Sequence, residues 1–240
     1  MYQEKIFVNS NDVDDHYDLK ISTIFKYLQQ AATNHSEILG VGKKDTVDKG
    51  MFWVITRMRV VIYKMPKMLD TLTVTTHPGE TMLFIFPRLY EIYDQHGDLC
   101  IAGSATWVLL DSLTHKVKMK PFEDGFKIPG EVKENDIALP DKVTFESIDK
   151  IDERRVRYSD IDLNGHLNNT KYIEYIIDTH DINFYKTKRV QEITINYERE
   201  IRQNDLVTLF SDSHSPEVVV GKVDNNISFI ARLTYINREN

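Results

Sequence analysis

The stretch Asp160 to Asn169, DIDLNGHLNN, gathers two aspartates, three asparagines and one histidine within ten residues. It runs into TKYIEYII, where Tyr172, Ile173, Ile176 and Ile177 share one face at helical spacing. A polar cluster at a helix N-terminus has a chemical use. Unpaired N–H groups and the positive end of the helix dipole stabilise negative charge there, such as the oxyanion of an attacked carbonyl. An imidazole, with an ordinary pKa of about 6.5, suits proton transfer near neutral pH. The plainer use is structural. Asn168 or Asn169 can be a helix cap, and His166 a hydrogen-bonded turn residue. For any one residue the plainer use is the commoner; the concentration of the whole set favours chemistry.

Other routes to chemistry are missing from the sequence. There is no G-x-S-x-G nucleophile elbow. The eight histidines are scattered without metal-ligand spacing, and Cys100 is the single cysteine, so no internal disulfide and no multi-cysteine metal site can form. No metal and no cofactor are expected. The Asp160–Asn169 cluster therefore stands as the candidate for chemistry.

The elements that must position this cluster can be read in outline. A helix is expected from about Thr170 to Asp178. An earlier one starts with Ser22 as N-cap, places Ile24, Leu28, Ala31, His35 and Ile38 on one stripe, and ends at Gly40. His35 reads as a packed core histidine. Strand signals follow each helix: Trp53 to Lys64, Thr71 to Thr76, Leu83 to Tyr93 and Leu99 to Asp111 in the first half, and Val190 to Ile201, Leu206 to Ser211, Glu217 to Val223 and Ile227 to Ile236 in the second. The repeated order, one helix and then four or five antiparallel strands, sets Ser22 over Asn169 and Trp107 over Tyr235. A proline-containing stretch from Met119 to Lys142 reads as a surface linker. The expected organisation is a first domain at 1–118, a linker at 119–145 and a second domain at 146–240. Each domain would be an α+β layer in which an antiparallel sheet wraps around a long helix.

Composition narrows the partners. The 240 residues are 41% hydrophobic and 10% aromatic, enough for a sizeable core, and the net charge of −7 argues against nucleic acid. No run approaches the roughly 18 apolar residues of a membrane span, and the acidic start MYQEKIFVNSNDVDD resembles neither a secretory signal nor a transit peptide. A cytoplasmic, reducing compartment is expected.

The segment DIDLNGHLNNTKYIEYI resembles the acyl-ACP thioesterase signature, D-[LI]-D-x-N-x-H-[VL]-N-N-x-K-Y-[IV]. WVITRMRVVIYKMPKMLDTLTVTT (Trp53 to Thr76), ATWVLLD (Ala105 to Asp111) and NYEREI (Asn196 to Ile201) are similar to further family elements. The resemblance implies a tandem double hot-dog fold and hydrolysis of the thioester between a fatty acyl chain and the phosphopantetheine arm of acyl carrier protein. It places the catalytic network on Asp162, Asn164, His166 and Glu200, with helix N–H groups near Asn168 and Asn169 meeting the oxyanion. Glu200 is the favoured base with His166 orienting the water or sharing the role; Asp162 as base is the alternative.

Plant members carry Cys after that glutamate, where this chain has Ile201, so a water-based mechanism is preferred over a cysteine nucleophile. The first half, with YDLKIST at Tyr17 to Thr23, lacks the set, so one active site is expected. The first half would shape the acyl tunnel, with Phe52, Trp53 and the first helix as its candidate lining. Taken alone, strand alternation puts Glu200 with Thr194, Asn196 and Glu198 on a polar, solvated face; a site role requires that face to meet a cleft or a bulge near Arg199 to turn the side chain. An acidic carrier requires a local basic patch, and Lys116, Lys118 and Lys120, or Lys186, Lys188 and Arg189, are the candidates. Acyl-CoA thioesterase and non-catalytic acyl-binding protein are the rival readings, and both monomer and homodimer are open.

Overall fold

The computed structural model describes residues 1–120, 128 and 137–238; most of the expected linker lies outside the described residues. The chain divides into two compact units, Met1–Lys20 with Lys26–Pro140, and Ile21–Phe25 with Asp141–Asn240.

The first unit contains β1 (Tyr2–Phe7), most of α1 (Ile21–Ile38), α2 (Lys43–Val47), β2 (Met51–Ile62), β3 (Thr71–Pro78), β4 (Phe86–Tyr93) and β5 (Leu99–Asp111). Its strands are antiparallel neighbours in the order β1-β3-β4-β5-β2. The helix starts one residue before the expected cap, with Lys20 rather than Ser22 at N-cap, and neither offers a side-chain cap. Ile24, Leu28, Ala31 and His35 are buried as the spacing predicts, but Ile38 is 70% exposed, so the covered stripe ends at His35. Gly40 follows the helix at φ +68, the left-handed conformation that ends helices. Val41, Met51, Phe86 and Leu109 form an apolar cluster with Trp53, Trp107 and Ile128 against it.

Beside α1 sits a buried cation. Arg88, 8% exposed, donates from Nη1 to His35 Nδ1 (3.1 Å) and to Thr76 Oγ1 (3.4 Å), and from Nη2 to Ser36 Oγ (3.1 Å). No carboxylate pairs with it among the described residues. To accept from the guanidinium, His35 must keep Nδ1 unprotonated. Burial and then the Arg88 charge push its pKa down from 6.5 to about 4.

The second unit repeats the plan with β6 (Ile148–Arg155), α3 (Asn169–Ile177), α4 (Ile182–Tyr185), β7 (Lys188–Tyr197), β8 (Leu206–Asp212), β9 (Val218–Val223) and β10 (Asn226–Asn237). The antiparallel order is β6-β8-β9-β10-β7, the same circuit as the first. Its helix has 9 residues against 18 in α1. The buried set is Tyr172, Ile173, Tyr175 and Ile176; Ile177 is only half-buried. The Tyr172 ring stands edge-on to Tyr197 and Phe229, each at 5.3 Å. Gly221 allows the fully buried Phe229 ring to lie against the β9 backbone, since a Cβ there would run into it.

The described part of the expected linker is anchored at two points, where Val143 is buried with Val218, Val220 and Ile230 and the Ala138 carbonyl accepts from Ser104 Oγ at 2.8 Å, while Met119, Lys120, Asp141 and Lys142 are exposed. One expectation needs correction: the polar face of β7 is covered at Thr194 and Asn196 and exposed only from Glu198 on. Thr194 and Asn196 are 0% and 1% exposed, and Asn196 accepts from the Val143 N–H (2.7 Å) and donates to the Asp141 carbonyl (3.1 Å). Asn196 thereby anchors the incoming chain at 141–143.

Candidate active site

The Asp160–Asn169 segment is a turn knitted by its own side chains. After a 3₁₀ turn at Tyr158–Asp160, Asp160 Oδ2 accepts from the Arg157 N–H (2.8 Å). The Asp162 N–H donates to the His166 carbonyl (2.8 Å), and the Gly165 N–H to the Asp162 carbonyl (3.1 Å). Gly165 makes this turn at φ +82. Asp162 Oδ1 accepts from the N–H groups of Asn164 (2.8 Å) and His166 (3.3 Å), while Asn164 Nδ2 lies 3.4 Å from Oδ2. Asp162 is therefore spent on holding the loop.

Glu200 arrives from the opposite side. The strand β7 ends at Tyr197, and the N–H groups of Glu198 and Arg199 both donate to the Ser228 carbonyl (2.8 and 3.1 Å), a β-bulge. The bulge breaks the alternation that would have left Glu200 beside Asn196. The Leu167 N–H then donates to the Ile201 carbonyl (2.8 Å), tying the turn to the segment after Glu200. The result is a contact between His166 Nε2 and Glu200 Oε2 at 3.0 Å, with the side chains 28% and 37% exposed. Beneath them Tyr172 is 4% exposed. Its hydroxyl pKa is pushed up, first by burial and further by the Glu200 and Asp162 charges.

Asn168 and Asn169 part company. Asn168 is the N-cap of α3: its side chain accepts from the Thr170 N–H (3.0 Å) and hydroxyl (3.0 Å), and its own N–H donates to the Asp160 carbonyl (2.9 Å). Its Oδ1 and backbone N–H are thus both engaged within the chain. The Asn169 N–H makes no hydrogen bond among the described residues.

The same turn exists in the first unit. The Asp14 N–H donates to the Asp18 carbonyl (2.9 Å), the Tyr17 N–H to the Asp14 carbonyl (3.1 Å), and the Leu19 N–H to the Pro66 carbonyl (2.8 Å). Asp14 Oδ1 accepts from the N–H groups of His16 (2.9 Å) and Asp18 (3.0 Å). The bulge is repeated too, with the N–H groups of Tyr63 and Lys64 both on the Cys100 carbonyl (2.9 and 3.1 Å). In this frame Asp14 stands where Asp162 does, His16 for Asn164, Asp18 for His166 and Met65 for Glu200. The alignment of Ser22 with Asn169 is thus one residue off, since Lys20 occupies the place of Asn168. Sequence reasoning missed Asp14, although Asp12-Val13-Asp14 against Asp160-Ile161-Asp162 carries the signal.

Asp14, Asp15 and His16 offer ligand atoms within 4.8 Å of one another, an exposed acidic group of a kind common without a metal. Trp53, one of the expected tunnel residues, packs edge-on to Phe86 (5.0 Å) and donates to the Val41 carbonyl (2.8 Å). Cys100 is buried, with its thiol pKa pushed up by burial.

Residues 1–123 match the model of the acyl-ACP thioesterase N-terminal domain, and residues 146–229 that of the C-terminal domain. A chloroplastic palmitoyl-acyl carrier protein thioesterase of Arabidopsis thaliana is 26% identical over 223 residues, covering 86% of this chain and 54% of its own length. A chloroplastic oleoyl-acyl carrier protein thioesterase 2 of the same plant is 26% identical over 243 residues, covering 92% and 65%. The chain thus spans about half to two thirds of the length of these relatives. Among solved structures, an acyl-ACP thioesterase from Bacteroides thetaiotaomicron superposes with a TM-score of 0.90 at 22% identity, covering 98% of this chain and 97% of that one. The 12:0-ACP thioesterase from Umbellularia californica gives 0.81 at 20% identity, covering 99% and 97%. The fold is the α+β tandem hot-dog expected from the sequence, and the chain belongs to the acyl-ACP thioesterase family.

Proposed function

We propose that the chain hydrolyses the thioester of fatty acyl-acyl carrier protein, releasing a free fatty acid and the carrier thiol. The observation that carries this reading is the 3.0 Å contact of His166 and Glu200 at the turn held by Asp162, in a chain of this family. With His166 Nε2 3.0 Å from Glu200 Oε2, the imidazole holds that carboxylate oxygen in place and Oε1 takes a proton from water. The water oxygen attacks the carbonyl carbon, and the charge forming on the carbonyl oxygen meets the Asn169 N–H at the head of α3. Collapse of this intermediate breaks the C–S bond, and the thiolate takes up the proton held by Glu200. Asp162 positions the loop rather than acting as base, because Asp14 makes the same backbone contacts in the unit that lacks the histidine and the glutamate. Asn164 orients the carbonyl or the water.

In this reading residues 146–240 are the catalytic domain, 119–145 a linker and 1–118 the domain that shapes the acyl pocket. The work is assigned to a reducing, cytoplasmic setting, in keeping with one buried free thiol. The described residues contain no helix long and apolar enough to cross a membrane.

The test is thiol release from a panel of acyl carrier proteins of different acyl length. Glu200→Gln and His166→Ala should each lower kcat by about 10²-fold or more with unchanged thermal unfolding. Rates close to those of the unaltered chain in both variants would overturn the assignment.

A further inference from the structure

The rim of the site carries a set of cations that the reaction itself does not use. Arg155, Arg157, Arg199 and Arg202 are all exposed. Arg155 ends β6 and donates from Nη1 to the Asn204 carbonyl (3.0 Å). The Val156 N–H bonds the Asp205 carbonyl (3.0 Å) and the Asn204 N–H the Val156 carbonyl (3.1 Å), so residues 155–157 lie against residues 202–205. Arg202 bridges to His166, and Arg199 precedes Glu200. Among the described residues none of the four guanidinium groups has a carboxylate within 4.0 Å. The acids of these segments are occupied inward: Asp160 holds the Arg157 N–H, Asp205 the Arg202 N–H, Asp162 its own turn, and Glu200 His166. Glu198 is exposed and is the one acid of these segments with no cation within 4.0 Å and no hydrogen bond to its carboxylate among the described residues. Two large apolar side chains stand among the arginines, Tyr158 at 82% exposed and Leu163 at 78%.

The first unit supplies the control. The matching positions hold Phe7, Asn9, Ser10, Asp15, Lys64 and Lys67. The cations there are engaged, Lys64 with Asp94 at 2.6 Å and Lys67 with Asp18 at 4.0 Å. Guanidinium groups without a carboxylate partner therefore concentrate on the turn that has the histidine–glutamate pair, whereas exposed apolar side chains occur on both turns, with Phe7, Tyr17 and Tyr63 at 51%, 59% and 58% in the first unit. The expected lysine patches look different: Lys118 lies 3.8 Å from Asp111, Lys186 donates to Asn183 and Lys188 to Asn237.

We infer that Arg155, Arg157, Arg199 and Arg202, with Tyr158 and Leu163 between them, form the docking surface for an acidic carrier protein presenting its thioester arm to Glu200. The inference rests on the proposed function and deepens it. A guanidinium fork matches the carboxylates of an acidic partner, and unpaired exposed charges steer encounter. A chain with net charge −7 needs such a local exception to attract an acidic partner.

The full chain is assayed with one acyl group carried by acyl carrier protein, by coenzyme A and by a short uncharged pantetheine. Arg157→Glu with Arg199→Glu should lower the ratio of kcat/KM on the carrier protein to that on the uncharged thioester by about tenfold or more. Raising salt from about 0.01 M to about 0.15 M should erase most of that advantage in the unaltered chain. The milder Arg157→Gln with Arg199→Gln should give a smaller loss in the same direction and serves if the reversal variant does not fold. An unchanged ratio overturns the inference. An equal loss on coenzyme A overturns it as well, because the arginines would then read the arm's phosphates and not the protein. Binding of holo-carrier, followed by fluorescence anisotropy, keeps the test separate from catalysis: if no thioester is turned over, the hydrolysis reading fails, and weaker binding by the reversal variant still supports the docking surface.

Discussion

The buried pair Arg88 and His35 makes the first unit sensitive to acid. Folded His35 has its pKa lowered from 6.5 to about 4 by burial and by the guanidinium on its Nδ1. The folded value lies below the unfolded one, so the unfolded chain binds this proton more readily. Stability from this group is fully present above about pH 6.5, falls as the pH drops toward 4, and then levels off. At about 1.4 kcal/mol per pH unit of displacement, the loss approaches about 3 kcal/mol, roughly 300-fold in the unfolding equilibrium. A protonated His35 would also point a donor at a donor 3.1 Å away, leaving Arg88 without that acceptor. His35→Gln isolates the effect, since an amide oxygen can accept from the guanidinium and does not titrate. Urea unfolding of both proteins at intervals from pH 7.5 to pH 4 gives two curves that share every other titration. Their difference should widen by about 3 kcal/mol between pH 6.5 and 4, with the unaltered chain losing more. Parallel curves would refute the reasoning, as would an imidazole that titrates near 6.5 by NMR in the folded protein.

Two other outcomes are expected. Gly221→Ala forces a Cβ into the ring of buried Phe229, which also supports Tyr172 beneath the site; thermal unfolding should show a loss of about 1–3 kcal/mol, and an unchanged melting temperature would mean that the ring has room to move. Asp14→Ala and Asp162→Ala remove the same pair of backbone contacts in the two units, so both should lower stability by about 1–2 kcal/mol, while only the second should lower turnover; equal loss of turnover in both would show that the turn, not its position beside Glu200, is what matters.

The parts of the fold legible in the sequence were those written in apolar periodicity. The strand Leu99–Asp111 is found at its expected bounds, and α3 is displaced by one residue. The strands β1 and β6 were not legible, because YQEKIF and IDKIDERR belong to edge strands whose polar alternation reads as surface. The site turn was legible through its Asx residues, while Glu200 came to it only through the family resemblance, on the condition of a bulge near Arg199 that alternation alone does not show. It depends on two N–H groups sharing the Ser228 carbonyl, a backbone event with no side-chain signature. The same limit explains β7: alternation correctly separated Thr194 and Asn196 from the isoleucines but could not say that the chain at 141–143 covers them.

That shared-carbonyl kink recurs at Tyr63 and Lys64 in the half where Asp18 and Met65 occupy the reactive positions. The scaffold that aims a glutamate at a histidine is therefore independent of the residues that exploit it. One backbone frame serves both halves: the second carries the imidazole and carboxylate, and the first fills the same places with Asp18 and Met65, 3% and 8% exposed.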